Sequence, residues 1–307
     1  MNFLVLGGSG FIGRHVCEKL AAAGHCITVP TRRLAASKHL LPLPRLTLLQ
    51  AVVHDEAALA KLAAGHDAVV NLVAVLHGDQ ARFERTHVAL PQKITNACKA
   101  AGVRRIVHIS ALGAALDAPS MYQRSKARGE AVLVGSGLDV TLLRPSVVFG
   151  AEDKFLNLFA SLQSIAPFMP LAGGQTRFAP VWVEDVAQAV VNSLMRHDAV
   201  GKTYEACGPD VLTLKQIVQL AGKLAGCQRP VIGLPLWLGR LQAGVMEWLP
   251  GEPLMSRDNV DSLKADNLPD GSTQGLAALG IAPASVHAIA PSYIRPARVM
   301  DKYRGVH

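Results

Sequence analysis

The sequence has no stretch of about 18 uninterrupted apolar residues, so no helix of it is expected to span a bilayer. Its five cysteines (17, 26, 98, 207 and 227) are odd in number, scattered, and without a CxxC pair. That argues against a disulfide framework and for reduced, buried thiols in a cytoplasmic setting. The eleven histidines show no metal-ligand spacing, since His25, His39, His54, His66 and His77 fall on different elements, and no metal site is expected. Internal repeats, heptad runs and low-complexity tracts are lacking as well. The apolar opening has no basic flank of the signal-peptide kind and runs straight into a glycine turn. The net charge of +8 is spread along the chain, which excludes a nucleic-acid arm but suits anionic ligands or surfaces. A modest basic cluster at Arg295, Arg298, Lys302 and Arg304, interrupted by Asp301, reads as a solvated tail; attachment to a partner or an anionic membrane surface is the alternative.

What is there is apolar and ample. Half of the 307 residues are hydrophobic, enough for one large α/β domain or for a core domain with a smaller lobe. The most informative segment is Gly7-Gly8-Ser9-Gly10-Phe11-Ile12-Gly13, directly behind the apolar run Phe3–Leu6. Glycines at 7, 10 and 13 let the chain turn out of a strand, approach a pyrophosphate closely and pack the next helix on the sheet. That helix, read as 11–23 with Gly24 as its stop, aims free N–H groups and the positive end of its dipole at the phosphates.

Strand-like runs recur at 3–6, 26–29, 46–51, 68–73, 106–110 and 140–143, separated by helix-like segments such as 55–64, 89–101 and 122–134. Strand–helix alternation with nearly continuous apolar strands predicts a Rossmann-type doubly wound parallel sheet covered on both faces. Residues 1–150 are read as the dinucleotide-binding core. Residues 151–307 are read as a mixed segment that returns to the core at about 178–210 and otherwise forms a small lobe for substrate or partner, closing over the nucleotide edge. Thr213-x-x-Gln216 is a capping-box pattern opening a helix. Pro235 through Leu249 reads as an amphipathic helix whose stripe of Trp237, Leu241, Val245, Trp248 and Leu249 is assigned to packing within that lobe, with a pocket wall or interfacial surface as the alternative.

The second strand runs into Pro30-Thr31-Arg32-Arg33, where an NAD-preferring fold would place a carboxylate for the ribose hydroxyls. Two guanidiniums stand instead where a ribose phosphate needs a bidentate cation, so NADP(H) is favoured, with NAD(H) left open. Behind the fifth strand, which ends at Ser110, comes Tyr122-Gln123-Arg124-Ser125-Lys126. A spacing of four puts Tyr122 and Lys126 on one helical face. A phenol with a reference pKa of about 10 is poorly matched to neutral pH, and a neighbouring ammonium is expected to lower it. Tyr122 and Lys126, with Ser110 as a candidate third group, then suit proton exchange with a substrate oxygen during hydride transfer.

Gly7–Gly13, Tyr122-x-x-x-Lys126 and Arg144-Pro145-Ser146-Val147-Val148-Phe149-Gly150 together resemble the short-chain dehydrogenase/reductase superfamily, in its extended or atypical branch, over about residues 1–210. Ile109–Gly113, Phe149-Gly150-Ala151-Glu152-Asp153-x-Phe155-x-Asn157 and Thr176-Arg177-Phe178-x-Pro180-Val181-x-Val183-x-Asp185 are similar to the nucleotide-binding accessory subunits of respiratory complex I and their bacterial relatives. The resemblance implies strand order 3-2-1-4-5-6-7 and a bound NADPH. It implies cofactor contacts from Gly7, Ser9, Gly10, Phe11, Ile12 and Gly13, and from Leu72, Val73 and Ala74 at the end of the fourth strand. It places the nicotinamide near Tyr122, Lys126 and the turn of Pro145, Val147 and Val148. The sequence departs from the family at the third-strand end, where Ala51-Val52-Val53 replaces an acidic adenine contact and Asp55 comes too late. The double serine after the fifth strand is reduced to Ser110.

Three functions fit these residues: an NADP(H)-dependent oxidoreductase for an apolar carbonyl or quinone-type substrate, a non-turnover NADPH-binding accessory or assembly factor of complex I, and a nucleotide-sugar epimerase or dehydratase. The setting expected is cytoplasmic, or peripheral at the inner face of a membrane.

Overall fold

The computed structural model describes residues 1–248, 251 and 253–296. They form two compact units. The first comprises Met1–Pro145, Val183–Ala206 and Pro269–Ala282; the second comprises Ser146–Trp182, Cys207–Leu268 and the described residues from Pro283 onward.

The first unit is built on β1 (Asn2–Leu6), β2 (Cys26–Thr31), β3 (Leu46–Gln50), β4 (Ala68–Asn71), β5 (Arg105–Ile109) and β6 (Asp139–Pro145). Two more strands, Thr203–Ala206 and Gln274–Gly275, complete an all-parallel sheet of eight. Its order is β3, β2, β1, β4, β5, β6, then Thr203–Ala206 and Gln274–Gly275. The order reverses direction at β1 and β4, which pair Leu4 with Val69 and Leu6 with Asn71. Such a reversal opens a crevice at the carboxyl ends of the strands, where doubly wound sheets take their ligands. The eighth strand was not among the expected ones, because Gln-Gly carries no apolar run.

Helices α1 (Phe11–Ala22), α2 (Glu56–Ala63), α3 (Gln80–Glu84), α4 (Leu90–Ala101) and α5 (Met121–Val134) connect the strands. One face of the sheet buries Leu4, Leu6, Val69 and Ile106 under Leu59, Leu90, Ile94 and Cys98 of α2 and α4. Helix starts follow local chemistry: Asp55 accepts the Ala57 and Ala58 N–H groups at 3.0 and 3.2 Å, and Ser120 accepts that of Gln123 at 3.2 Å. Asp55, therefore, is a helix cap. Gly102, in the left-handed region at φ 73°, stops α4. Between α3 and α4 the helical path makes one π turn, Arg85–Ala89.

The second unit packs the helices Leu156–Ile165, Leu214–Leu224 and Val286–Tyr293 around Phe149, Leu156, Ile217, Val218 and Val286. The capping box of Thr213 and Gln216 forms as expected. Asp153 is buried and accepts the N–H groups of Gly150, Phe155 and Asn157 and the Tyr293 hydroxyl, so the Gly150–Asn157 motif acts here as a turn-former.

The helix Leu236–Glu247 overturns the packing expected of its apolar stripe. Its buried positions are the small ones, Gly239 and Ala243, and a Cβ at Gly239 would overlap that of Ala172. Close approach through small residues turns the large ones outward: Trp237 is 70% exposed, Trp248 93%, and Leu241 and Val245 are exposed between them. Leu249 lies outside the described residues, as do Arg298, Asp301, Lys302 and Arg304, while Arg295 is exposed. The thiols also depart from expectation. All five are free, but only Cys17 and Cys98 are buried, and Cys26, at the start of β2, is exposed. Among the described residues no helix is long and apolar enough to cross a membrane.

Candidate active site

The turn after β1 folds back on the helix it introduces. A Cβ at Gly13 would overlap the Gly7 carbonyl oxygen and the Gly8 Cα, so only glycine lets the first turn of α1 close on the loop. Gly7 has φ +83°, and a Cβ there would press on the backbone of Leu72 and Val73. The segments 7–13 and 72–74 are thus brought together. The Asn71 side chain shapes the second by accepting the Val73 N–H at 3.2 Å. Gly10 caps α1 without a side-chain hydrogen bond, and no acidic residue stands in the first turn. Ser9, Phe11 and Ile12 are half-buried at the rim and Gly10 is exposed. An uncapped twelve-residue helix aimed out of a glycine turn fits a pyrophosphate.

At the end of β2, the Thr31 and Ser37 hydroxyls are 2.9 Å apart, and Thr31 Oγ1 accepts the Arg33 N–H at 3.3 Å. This knot presents Arg32 and Arg33 outward, both exposed and neither in an ion pair among the described residues. Leu72 and Val73 are half-buried and Ala74 is exposed. Pro145 ends β6, its carbonyl accepting the Leu112 N–H at 2.9 Å. Val147 and Val148 are half-buried residues of the second unit, where the Val147 carbonyl accepts the Val181 N–H.

Helix α5 carries Tyr122 and Lys126. Lys126 is only 1% exposed; its ammonium donates to the Ile109 carbonyl at 2.9 Å and lies 6.0 Å from the centre of the Tyr122 ring. Burial draws its pKa down to about 8, against the pull of Glu130. Glu130 itself holds the Arg144 guanidinium by two bonds, at 2.9 and 2.5 Å, which ties α5 to β6. The expectation that Lys126 lowers the Tyr122 pKa is not met: burial pushes the phenol up to about 12. Withdrawing a phenolate from water costs more here than the ammonium returns. Tyr122 is accordingly a protonated hydroxyl at neutral pH, a donor. Ser110 is buried at the end of β5, its N–H bonded to the Leu143 carbonyl at 2.7 Å and its Oγ without a hydrogen-bond partner among the described residues. Burying a hydroxyl without such a partner costs free energy.

Three groups escaped the sequence reading. His87 packs edge-on against Tyr122, with ring centres 5.4 Å apart. His108, buried on β5, accepts from the Asn71 amide through Nδ1 at 3.0 Å. Nothing in the spacing of residues 71, 87, 108 and 122 signals these contacts, which the sheet order creates. On the other side, α1 and the helix Val183–Met195 bring His15, Glu18 and Glu184 within 4.8 Å. Lys19 bonds Glu184 at 2.8 Å and Arg14 bonds Glu18 at 2.8 Å, so cations already answer both carboxylates in a helix-to-helix ion-pair network.

The profile of the NAD dependent epimerase/dehydratase family matches residues 3–207. The chain is 32% identical over 292 residues to the mitochondrial NADH dehydrogenase (ubiquinone) 1 alpha subcomplex subunit 9 of Mus musculus, covering 91% of this chain and 76% of that protein. It is 27% identical over 237 residues to the ceramide reductase of Caulobacter vibrioides, covering 75% and 73% of the two chains. Among solved structures, the NADPH-dependent quinone oxidoreductase of Escherichia coli in complex with NADPH superposes with a TM-score of 0.74 at 23% identity, over 95% of this chain and 99% of that one. The chain belongs to the NAD dependent epimerase/dehydratase family, an extended short-chain dehydrogenase/reductase. Within that class it resembles the complex I subunit, and the family's nucleotide is NAD(P).

Proposed function

We propose that the protein is an NADP(H)-dependent oxidoreductase acting on an apolar carbonyl or quinone-type substrate. The observation that carries this reading is the protonated Tyr122 phenol on the same helical face as the buried Lys126, with the unpaired Ser110 hydroxyl at the end of the adjoining strand. The turn Gly7–Gly13 would hold the pyrophosphate, and Arg32 and Arg33 would take the ribose phosphate. The family resemblance assigns Leu72, Val73 and Ala74 to the flank of the cofactor, and Pro145, Val147 and Val148 to its nicotinamide. A bound NADPH supplies the hydride. Tyr122 gives its proton to the substrate oxygen, Lys126 would hold the ribose, and Ser110 polarises the same oxygen. The likeness to a ceramide reductase supports an apolar substrate.

The second reading, a non-turnover NADPH-binding accessory or assembly factor of complex I attached peripherally at a membrane, is favoured by the 32% identity to the mouse subunit. Incubation of the purified chain with NADPH and a panel of quinones and carbonyl compounds separates the two. The oxidoreductase reading expects nucleotide oxidation by the native chain and a loss of about 100-fold or more in Tyr122→Phe. NADPH that binds tightly but is consumed with no acceptor, in a protein that co-purifies with complex I, establishes the accessory reading instead.

A further inference from the structure

We propose that His87 is a positioning residue that pins the backbone after β4 to helix α5, holding the nucleotide-facing loop and the Tyr122–Lys126 pair in one geometry; the proposal rests on the nucleotide reading above. His87 sits on the π turn Arg85–Ala89 and is 2% exposed. Its Nε2 accepts the Val75 N–H at 3.2 Å, one residue beyond Leu72–Ala74. An accepting Nε2 carries no proton, so the proton is on Nδ1 and the 2.8 Å contact to Ser125 Oγ is an Nδ1–H donation. The Ser125 hydroxyl in turn donates to the Tyr122 carbonyl at 2.7 Å. One neutral ring therefore carries a chain of hydrogen bonds from the loop to the backbone of Tyr122.

Only this tautomer satisfies both neighbours, because a charged ring would point an N–H at the Val75 N–H. Burial, with Lys126 and His108 nearby, holds the ring neutral, its pKa drawn down to about 2. The ring is fixed from the sides as well, stacked on Phe83 at 5.6 Å and edge-on to Tyr122 at 5.4 Å. A Cβ at Gly129 would overlap the His87 carbonyl oxygen, so α5 reaches the π turn this closely only with glycine there. π turns of this kind recur at functional sites. The two ring bonds of His87 join separate elements, spanning 12 residues in one direction and 38 in the other.

The test compares the full chain with His87→Leu and His87→Asn by NADPH titration and by amide hydrogen exchange at Val75. His87→Leu removes acceptor and donor and is expected to weaken NADPH about tenfold and to expose the Val75 N–H to exchange. His87→Asn offers an amide oxygen and an N–H and is expected to recover part of both. Leucine at native NADPH affinity with Val75 still protected overturns the proposal. If the native chain binds no NADPH, the nucleotide reading fails, and the Val75 exchange still decides the pin. If the leucine variant does not fold, the imidazole nitrogen-15 shifts of the native chain decide: protonated Nδ1 with bare Nε2 supports the pin, and the reverse tautomer overturns it.

Discussion

Lys126 keeps its ammonium among buried atoms, with the Ile109 carbonyl oxygen as its hydrogen-bond acceptor. Its pKa falls from 10.5 unfolded to about 8 folded. Between those values the unfolded chain binds the extra proton, so stability rises with pH across this window and is least below pH 8. Lys126→Met is therefore predicted to stabilise the chain at pH 7 by about 2 kcal/mol, after subtracting the lost hydrogen bond, with the gain vanishing above pH 10.5. Chemical denaturation at pH 7 and pH 10.5 checks this, and a variant less stable than the native chain at pH 7 would contradict it. Of these side chains, the sequence made Tyr122 and Lys126 legible because helical spacing alone brings them to one face. His87, His108 and the bond from Asn71 to His108 were illegible, because these contacts come from strands and crossovers that meet only in the folded sheet.

The glycine turn and the helix Leu236–Glu247 are the two elements where a missing side chain decides the packing. Gly13→Ala must displace the Gly7 carbonyl or the Gly8 backbone, and neither is a flexible tip. It is predicted to cost roughly 1–3 kcal/mol and to abolish nucleotide binding, as read by a thermal melt with and without NADPH. In the helix Leu236–Glu247 periodicity showed an apolar stripe but not which way it faces, because Gly239 and Ala243 set the close approach to Ala172. Trp248→Ser is accordingly predicted to change stability by no more than about 0.5 kcal/mol, whereas Gly239→Leu should lose roughly 1–3 kcal/mol or more. Equal losses in the two variants would show that the stripe is buried after all. The strands and most helices of the parallel sheet were readable from apolar runs and glycine stops. The edge strand Gln274–Gly275 was not, since its place depends on pairing with Thr203–Ala206 and on no pattern of its own.

At the scale of the molecule, two buried histidines and an excess of positive charge set the response to conditions. His87 and His108 are neutral in the folded chain, their pKa values held below the usual 6.5 by burial and by Lys126. The unfolded chain takes up protons on both below pH 6.5 and the folded chain does not, so stability falls as pH drops from there toward about 2 for His87. Each ring should contribute about 1.4 kcal/mol per pH unit to that loss, measurable as a denaturation midpoint already declining between pH 6.5 and 5. The glycine turn, the Arg32–Arg33 pair and the Tyr122 face of α5 lie in one unit, and the proposed function needs a phosphorylated nicotinamide nucleotide there. The most direct test is a titration of NADPH and NADH against the native chain and the Arg32→Ala, Arg33→Ala double variant. The native chain is expected to prefer NADPH by about tenfold or more, and the double variant to bind both alike. Equal affinities in the native chain, or a preference that survives the double substitution, would contradict it.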